Sequence, residues 1–235
     1  MTNSHNAESW VAGVDGCRAG WMAFKVDVFT RVSGVEVVDL KSTLCNRPDN
    51  LAILAIDMPI GLLDGPRSCD CAARKLLGSP RSSSVFAPPC RAALASTSHH
   101  KASEMNRSTT GKGLSIQAWA IAPKIKEIDD LLLPAQQSWV FEVHPEVSFW
   151  RMNDRRPMLH SKSLLAGREE RRSILLREFP NLGNHINHRP VGVGVDDVLD
   201  AAAAAWSALR LRESKAESVC TPSHDARGLR VAIHY

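Results

Sequence analysis

The chain has 235 residues, of which 44% are hydrophobic and 23% are charged, and its formal net charge at pH 7 is +4. This composition is typical of a globular protein, and the mild basic excess permits a polyanionic partner without indicating one. No run of about 18 apolar residues predicts a membrane span, and the first residues lack the basic and then apolar pattern of a signal peptide. We therefore expect no membrane partner and a cytoplasmic location, in which the six cysteines are reduced thiols.

Two apolar runs that flank a glycine-containing turn predict a β-hairpin near the start of the chain. The first run, residues 11–14, ends on Asp15, and the second spans residues 21–28. Further along, residues 51–56 are apolar throughout, as in a strand that is buried on both faces. This run also ends on an acid, Asp57. Two predicted buried strands therefore end in an aspartate, and an unpaired buried carboxylate costs several kcal/mol unless it meets water or a cation.

The rest of the chain predicts helices and loops around three more strands. Before residue 115, these elements are a strand at 34–40, a short connection at 41–50, a helix at 70–77 and a mobile surface loop at 95–113. A helix then runs from Ser115 to about Leu133, and Pro123 kinks or breaks it. The remaining elements are a strand at 139–143, a helix from about Ser163 to Glu178, a loop at 180–195 and an edge strand at 229–235. Residues 62–138 contain no clear strand. We interpret them as a helical insertion over the rim of the sheet, within a single domain that spans residues 1–235.

The strongest helix signal in the chain covers residues 196–210. It has an acidic first turn, at the positive end of the helix dipole, followed by five alanines. One apolar stripe faces the core, and the small alanines would let the helix lie close to a sheet. We expect Asp196 to be the N-cap residue. Asp197 is a candidate for both the cap and the functional site, and Asp200 lies one turn further on.

These acids can meet at one edge of a sheet. Neighbouring strands lie about 5 Å apart, so Asp15 and Asp57 converge if their strands are adjacent. A helix whose N-terminus lies at the same edge would add Asp197 and Asp200. Carboxylates about 4 Å apart repel by roughly 4 kcal/mol at an effective dielectric of about 20, so such a cluster takes up protons or binds a divalent cation. Oxygen-only ligands favour Mg²⁺ or Mn²⁺, which can activate water for phosphodiester hydrolysis.

Several segments between residues 11 and 210 keep the order and spacing of a known family: residues 13–21, 56–62, Arg67-x-x-Asp70-x-x-x-Arg74, and residues 84–91, 123–127, 142–146, 161–168 and 196–201. They resemble the domain of unknown function 429 family, whose members are predicted RNase H-like nucleases. The resemblance implies an α/β, ribonuclease H-like fold with a mixed five-stranded sheet flanked by helices and a helical insertion after the fourth strand. It also implies a magnesium- or manganese-dependent nuclease.

The residues from Asp197 to Ala201 are also similar to the last helix of bacterial Holliday-junction resolvases. That similarity assigns the metal-ligand positions to Asp15, Asp57, Asp197 and Asp200.

Further candidate residues lie near these motifs. Glu142, inside the fifth predicted strand, is a candidate catalytic carboxylate, and we prefer it to Glu146. His144 either orients a phosphate or fills a turn. Cys69 and Cys71 are the only close cysteine pair, and they lack the partner pair that a zinc site needs. Because arginine and lysine bind phosphate, we expect substrate-binding side chains among Arg18, Arg67, Arg74, Arg81, Arg91, Lys124 and Lys162.

Three functions remain open on the sequence. The leading one is a metal-dependent nuclease that acts on nucleic acid. The second is a nucleotide-binding phosphotransferase of the actin and sugar-kinase type, whose core also begins with a strand, Asp-Gly and a hairpin, although such proteins need two such domains. The third is a non-catalytic module that binds nucleic acid or protein. The substrate, the number of metal ions and the oligomeric state, a homodimer included, stay open.

Overall fold

A five-stranded mixed sheet forms the centre of the protein, in a computed structural model that describes residues 9–235. The order of its strands is β3-β2-β1-β4-β5; β1 is antiparallel to β2, and β4 is parallel to both β1 and β5. The strands are β1 (Trp10–Cys17), β2 (Gly20–Asp27), β3 (Ser33–Val38), β4 (Leu51–Ile56) and β5 (Val140–Glu142). The predicted mixed sheet flanked by helices is confirmed, and the arrangement is consistent with an RNase H-like fold. The signal-peptide prediction concerns residues that lie mostly outside the described range.

The register of the sheet places two aspartates side by side. In the β1–β2 hairpin, Cys17 pairs with Gly20, which leaves a two-residue loop. On the other side of β1, Val14 pairs with Ile56 of β4 in parallel register. The backbone N–H of Asp57 then donates to the carbonyl oxygen of Val14 at 2.8 Å. Because β1 and β4 point the same way, Asp15 and Asp57 emerge at the same edge of the sheet.

Helices cover both faces of the sheet. They are α1 (Leu40–Cys45), α2 (Ser68–Leu77), α3 (His99–Thr110), α4 (Ile116–Leu131), α5 (Pro145–Met152), α6 (Leu165–Glu178), α7 (Leu182–Asn187) and α8 (Val195–Arg212). On one face, α1 and α4 pack on Ala12 and Val14 of β1. On the other face, α5, α6, α7 and α8 pack on Val11 and on Phe24 of β2. Between β4 and β5, the chain forms only helices and loops, as predicted. None of the helices between residues 9 and 235 is long and apolar enough to cross a bilayer.

Helix α8 lies unusually close to β1 because a glycine faces its alanines. A Cβ atom added at Gly13 would lie 2.0 Å from the backbone nitrogen of Ala205 and 2.2 Å from the carbonyl oxygen of Ala201. The five alanines of α8 are fully buried, as the sequence predicted for a helix lying against a sheet. This contact sets the distance between the sheet edge and the first turns of α8.

The predicted mobile loop at 95–113 is wrong, since most of it is helix α3. The side chain of Ser98 caps the helix by accepting a hydrogen bond from the N–H of Lys101, and Gly111 ends the helix in the left-handed conformation. Asn106 is only 5% exposed; its side chain accepts from the N–H of Cys90 at 2.8 Å and donates to the carbonyl of Lys112 at 2.8 Å. Polar residues that resemble a loop in composition therefore form a helix that its contacts hold in place.

Three smaller predictions also need correction. Helix α4 begins after Ser115 as predicted but continues through Pro123, because buried residues before and after it pack on the core. The predicted loop at 180–195 contains α7. The segment at 229–235 does not add a full edge strand. It contributes the short β7 (Arg230–Val231), which pairs with β6 (Ser223–His224), and two isolated bridges from His234, one to Val143 and one to Ser218.

Candidate functional site

Three aspartates from three elements meet at the edge of the sheet. Asp15 lies at the end of β1, Asp57 follows β4, and Asp200 lies in the second turn of α8. One carboxylate oxygen from each lies within 4.8 Å of the others. Asp200 is only 2% exposed, and the other two are half-buried. The spacing suits a shared cation, because separate carboxylates at this distance repel one another.

The electrostatics of the triad (Asp15, Asp57 and Asp200) favour a proton or a cation. Burial is the main cause that raises the pKa of Asp15 well above its ordinary value, and the charges of Asp57 and Asp200 add to it. Burial and the charge of Asp200 likewise raise the pKa of Asp57. One positive charge is already present, since Lys162 Nζ lies 2.5 Å from Asp200 Oδ2. The charge of Asp200 raises the pKa of Lys162 in turn, so this ammonium stays charged.

The start of α8 differs from the prediction. The N-cap residue is Gly194 and not Asp196, because Asp197 reaches back and accepts a hydrogen bond from the N–H of Gly194 at 2.7 Å. Asp196 instead accepts two hydrogen bonds from Arg168, at 2.8 and 3.2 Å. Asp197 lines the same cavity as the triad, but one of its oxygens caps the helix. Its carboxylate therefore helps to hold the helix turn that carries Asp200.

Glu142 lies beside the triad but is already paired. It is 5% exposed, accepts a hydrogen bond from the N–H of Ile60 at 2.7 Å and forms an ion pair with Arg67 at 2.5 Å. Burial raises the pKa of Glu142 to about 7, although Arg67 opposes the shift. These contacts fix the turn after β4, which carries Asp57. Both contacts use Oε2 of Glu142, so this oxygen positions the site, and the residue also lines the cavity of the triad.

A second acidic group, Cys69, Asp70 and Glu142, also has the spacing of metal ligands. The guanidinium of Arg67 lies among them, 3.5 Å from Asp70 Oδ1 and in contact with Glu142. Burial raises the pKa of the Cys69 thiol, so it does not supply a thiolate. Cys71 is exposed and is not a member of this group. The positive charge of Arg67 therefore takes the place that a metal ion would need.

Glu146 is a second buried carboxylate in the cavity of the triad. It is 5% exposed and lines the cavity of the triad. Its Oε1 accepts hydrogen bonds from Arg171 Nε at 2.9 Å and Nη2 at 2.6 Å. Its Oε2 is buried and has no hydrogen-bond partner among residues 9–235. A buried carboxylate oxygen without a partner is costly, and its presence beside three acids fits a site built for a cation. The preference for Glu142 over Glu146 stays a prediction, and Glu146 is a second candidate carboxylate in the same cavity.

The predicted phosphate-binding residues divide into two groups. Lys124, Lys162 and Arg81 line the cavity. Lys124 donates to the carbonyl of Gly20 at 2.5 Å and lies 4.3 Å from the centre of the Trp21 ring, so it ties α4 to the hairpin. The others have structural contacts or lie elsewhere: Arg67 pairs with Glu142, Arg91 with Asp129 and Asp225, Arg74 donates to the carbonyl of Val85, and Arg18 is exposed outside the cavity.

The cavity above the triad has a volume of about 870 Å³. Part of its wall comes from residues 81–86 and α4, and part from residues 143–146 and 161–163. Burial and the charge of Lys162 lower the pKa of His144 to about 4, so this imidazole is neutral at pH 7. Sequence reasoning did not single out several lining residues, among them Ser83, Phe86, Gln117, Ser161 and Ser163, although Phe86 and Ser161 lie in segments that match the family.

Replacing Arg171 with methionine should destabilise the protein by about 3–5 kcal/mol, because it leaves the Glu146 carboxylate buried without a counter-charge. Arg171 is 1% exposed, so water cannot replace it. The matched control is Arg168→Met on the same helix, which removes a partly exposed ion pair with Asp196 and should cost about 1 kcal/mol or less. Urea unfolding of both variants measures the difference. Equal losses would show that the Glu146 pair does not behave as a buried one.

The comparisons with known proteins identify one family. The family model described as protein of unknown function (DUF429) matches residues 13–227. The search of curated proteins and the search of solved structures gave no match to the chain.

Proposed function

The chain belongs to the DUF429 family, and we propose that it is a metal-dependent phosphodiesterase that acts on nucleic acid. The observation that carries the proposal is the triad, whose three carboxylate oxygens lie within 4.8 Å of one another in a cavity large enough for a ligand. A family of unknown function does not itself specify the reaction. The argument for nucleic acid is that the same cavity combines a cluster suited to a divalent cation with basic side chains suited to phosphate.

The residues present fit a hard divalent cation. Asp15, Asp57 and Asp200 would hold it, and the unpaired Oε2 of Glu146 provides a further oxygen in the same cavity. Because all of these ligands are oxygens, the donor set favours Mg²⁺ or Mn²⁺ over zinc. When bound, such an ion lowers the pKa of water and stabilises negative charge on a phosphate.

The remaining side chains bind and orient the substrate. The ammonium of Lys162 has three hydrogens, of which one meets Asp200; the others can be donated to a phosphate oxygen. Its side chain is 49% exposed, so a ligand in the cavity can reach it. Asp197 and Glu142 hold α8 and the turn after β4, and so fix the positions of Asp200 and Asp57. The basic groups offset the repulsion between the carboxylates and an anionic substrate.

Millimolar Mg²⁺ or Mn²⁺ should raise the melting temperature of the wild-type protein, because a ligand that binds only the folded state stabilises it by mass action. At a concentration of about 100 times Kd, the stabilisation is about 2.7 kcal/mol. Asp200→Asn should abolish the rise. Asp196→Asn is the matched control, since Asp196 lies on the same helix but pairs with Arg168 outside the cavity, and it should keep the rise. A wild-type protein that neither ion stabilises would refute the metal site.

Melting, cleavage and binding assays together separate the nuclease from the phosphotransferase and from the binding module. Stabilisation by ATP in place of cleavage would favour a phosphotransferase. Cleavage is measured with single-stranded, duplex, hybrid and branched oligonucleotides, each with and without the metal ion. A protein that binds one of these substrates equally well with and without metal, and cleaves none, would be a non-catalytic binding module.

A further inference from the structure

Phe86 exposes an aromatic ring inside the cavity of the triad. The residue is 37% exposed and lines the cavity. The residue before it, Val85, is buried, and the carbonyl oxygen of Val85 accepts a hydrogen bond from Arg74 Nε at 2.9 Å. The backbone is therefore held in place while the ring faces the cavity. Exposed rings of this kind stack with nucleobases, typically with little preference for one base over another.

Arg81 provides a positive charge beside this ring. It lines the same cavity, at the start of the 3-10 helix Arg81–Ser84 that leads to Phe86. Its Nε is buried and has no hydrogen-bond partner in the described part of the chain. The other cations of the cavity are already engaged, Lys124 by the carbonyl of Gly20 and Lys162 by Asp200. A guanidinium without a partner is suited to a phosphate, which it can bind with two parallel hydrogen bonds.

The walls of the cavity come from both faces of the sheet, which limits what can enter. Helix α4 packs on one face through Ile125, and α5 packs on the other through Phe149. Both helices contribute lining residues. The volume of about 870 Å³ is within the range of about 300–1,000 Å³ that is typical of small-ligand sites. A duplex carries two strands around grooves about 6–12 Å wide and needs an open surface, whereas one unpaired nucleotide fits between such walls.

We propose that the site takes an unpaired nucleotide, with its base stacked on Phe86, an adjacent phosphate on Arg81 and the phosphodiester at the triad. This inference rests on the proposed function and narrows its substrate to single-stranded nucleic acid or a free dinucleotide, which also carries a phosphodiester. The two sources share the same chemistry, so the walls described above admit either of them. Duplex nucleic acid is excluded unless its strands separate at the site.

The test measures binding directly. Fluorescence anisotropy with a fluorescein-labelled 12-nucleotide strand, in Mg²⁺, gives the Kd, and a gel confirms that the strand stays intact during the reading. We expect the single strand to bind at least about tenfold more tightly than the same strand annealed to its complement. Phe86→Ala and Arg81→Gln should each weaken single-strand binding about tenfold. The matched controls are Phe29→Ala and Arg177→Gln, which change exposed residues outside the cavity and should leave Kd within about twofold of wild type.

Competition identifies the source of the nucleotide. A 5′-phosphorylated dinucleotide that displaces the labelled strand as well as an unlabelled strand does would indicate a free dinucleotide as the ligand; a much weaker effect would indicate a strand. The inference would be overturned if the duplex bound as tightly as the single strand, or if Phe86→Ala kept the wild-type affinity. The proposed function would still stand in that case, provided that a metal ion stabilised the protein. Conversely, Phe86-dependent binding in a protein that no metal ion stabilises would support the nucleotide site and refute the metal-dependent reaction.

Discussion

Replacing Asp57 with asparagine should reduce metal-dependent phosphodiester cleavage by at least about 10³-fold. Asp57 is one of the three acids of the triad, so the variant loses one of three closely spaced ligand oxygens. A bound metal ion contributes several kcal/mol of charge stabilisation, and each 1.36 kcal/mol corresponds to a factor of about ten in rate. Initial rates on the best substrate of the oligonucleotide panel measure the loss. Asp64→Asn is the control, because Asp64 is exposed and lies outside the cavity.

The same variant should be at least as stable as wild type in the absence of metal. Burial and neighbouring charges raise the pKa of Asp57, so the folded state binds its proton more tightly than the unfolded state does. Stability from this group is therefore lost as the pH rises from about 3.9 towards the raised value. Asparagine has no such charge, so melting temperatures in EDTA should fall less steeply with pH in the variant. A steeper fall, or full cleavage activity, would contradict the role assigned to Asp57.

Replacing Gly13 with alanine should prevent normal folding, or destabilise the protein by more than about 4 kcal/mol. The added methyl carbon would lie 2.0 Å from a backbone nitrogen of α8, and neither main chain can move without disturbing the core. Gly34→Ala in β3 is the matched control, since an added Cβ there meets nothing within 4 Å. Yield of folded protein and urea unfolding measure both variants. A Gly13→Ala protein within about 1 kcal/mol of wild type would show that α8 does not need this close contact.

The sequence predicted which strands and which helix carry the acids of the site, because short patterns of apolar and polar residues mark these elements. Asp15 and Asp57 were found as the first polar residues after apolar runs, and the alanines of α8 indicated a helix that lies against a sheet. The metal and substrate roles of these residues remain predictions. The sequence could predict that Asp15 and Asp57 lie close together, since the ends of parallel strands share an edge of the sheet.

The other features of the site depend on contacts between residues that are far apart in the sequence. Glu142 and Arg67 are 75 positions apart, and nothing in either segment shows that they pair. Two adjacent aspartates at the start of α8 satisfy the same capping pattern, so composition could not tell that Asp197 caps the helix and Asp196 binds Arg168. Helix α3 was missed because Ala102 and Asn106 are its only buried residues, so its sequence carries almost no apolar stripe.

The ion pair between Lys162 and Asp200 has a consequence for assembly. With an ammonium already 2.5 Å from the most buried acid, part of the negative charge of the cluster is balanced by the chain itself. The polypeptide can therefore complete its fold before any metal ion arrives, unlike small domains in which the metal drives folding. An incoming ion must compete with Lys162 for Asp200. Occupancy of the proposed metal site would then follow the free concentration of the ion.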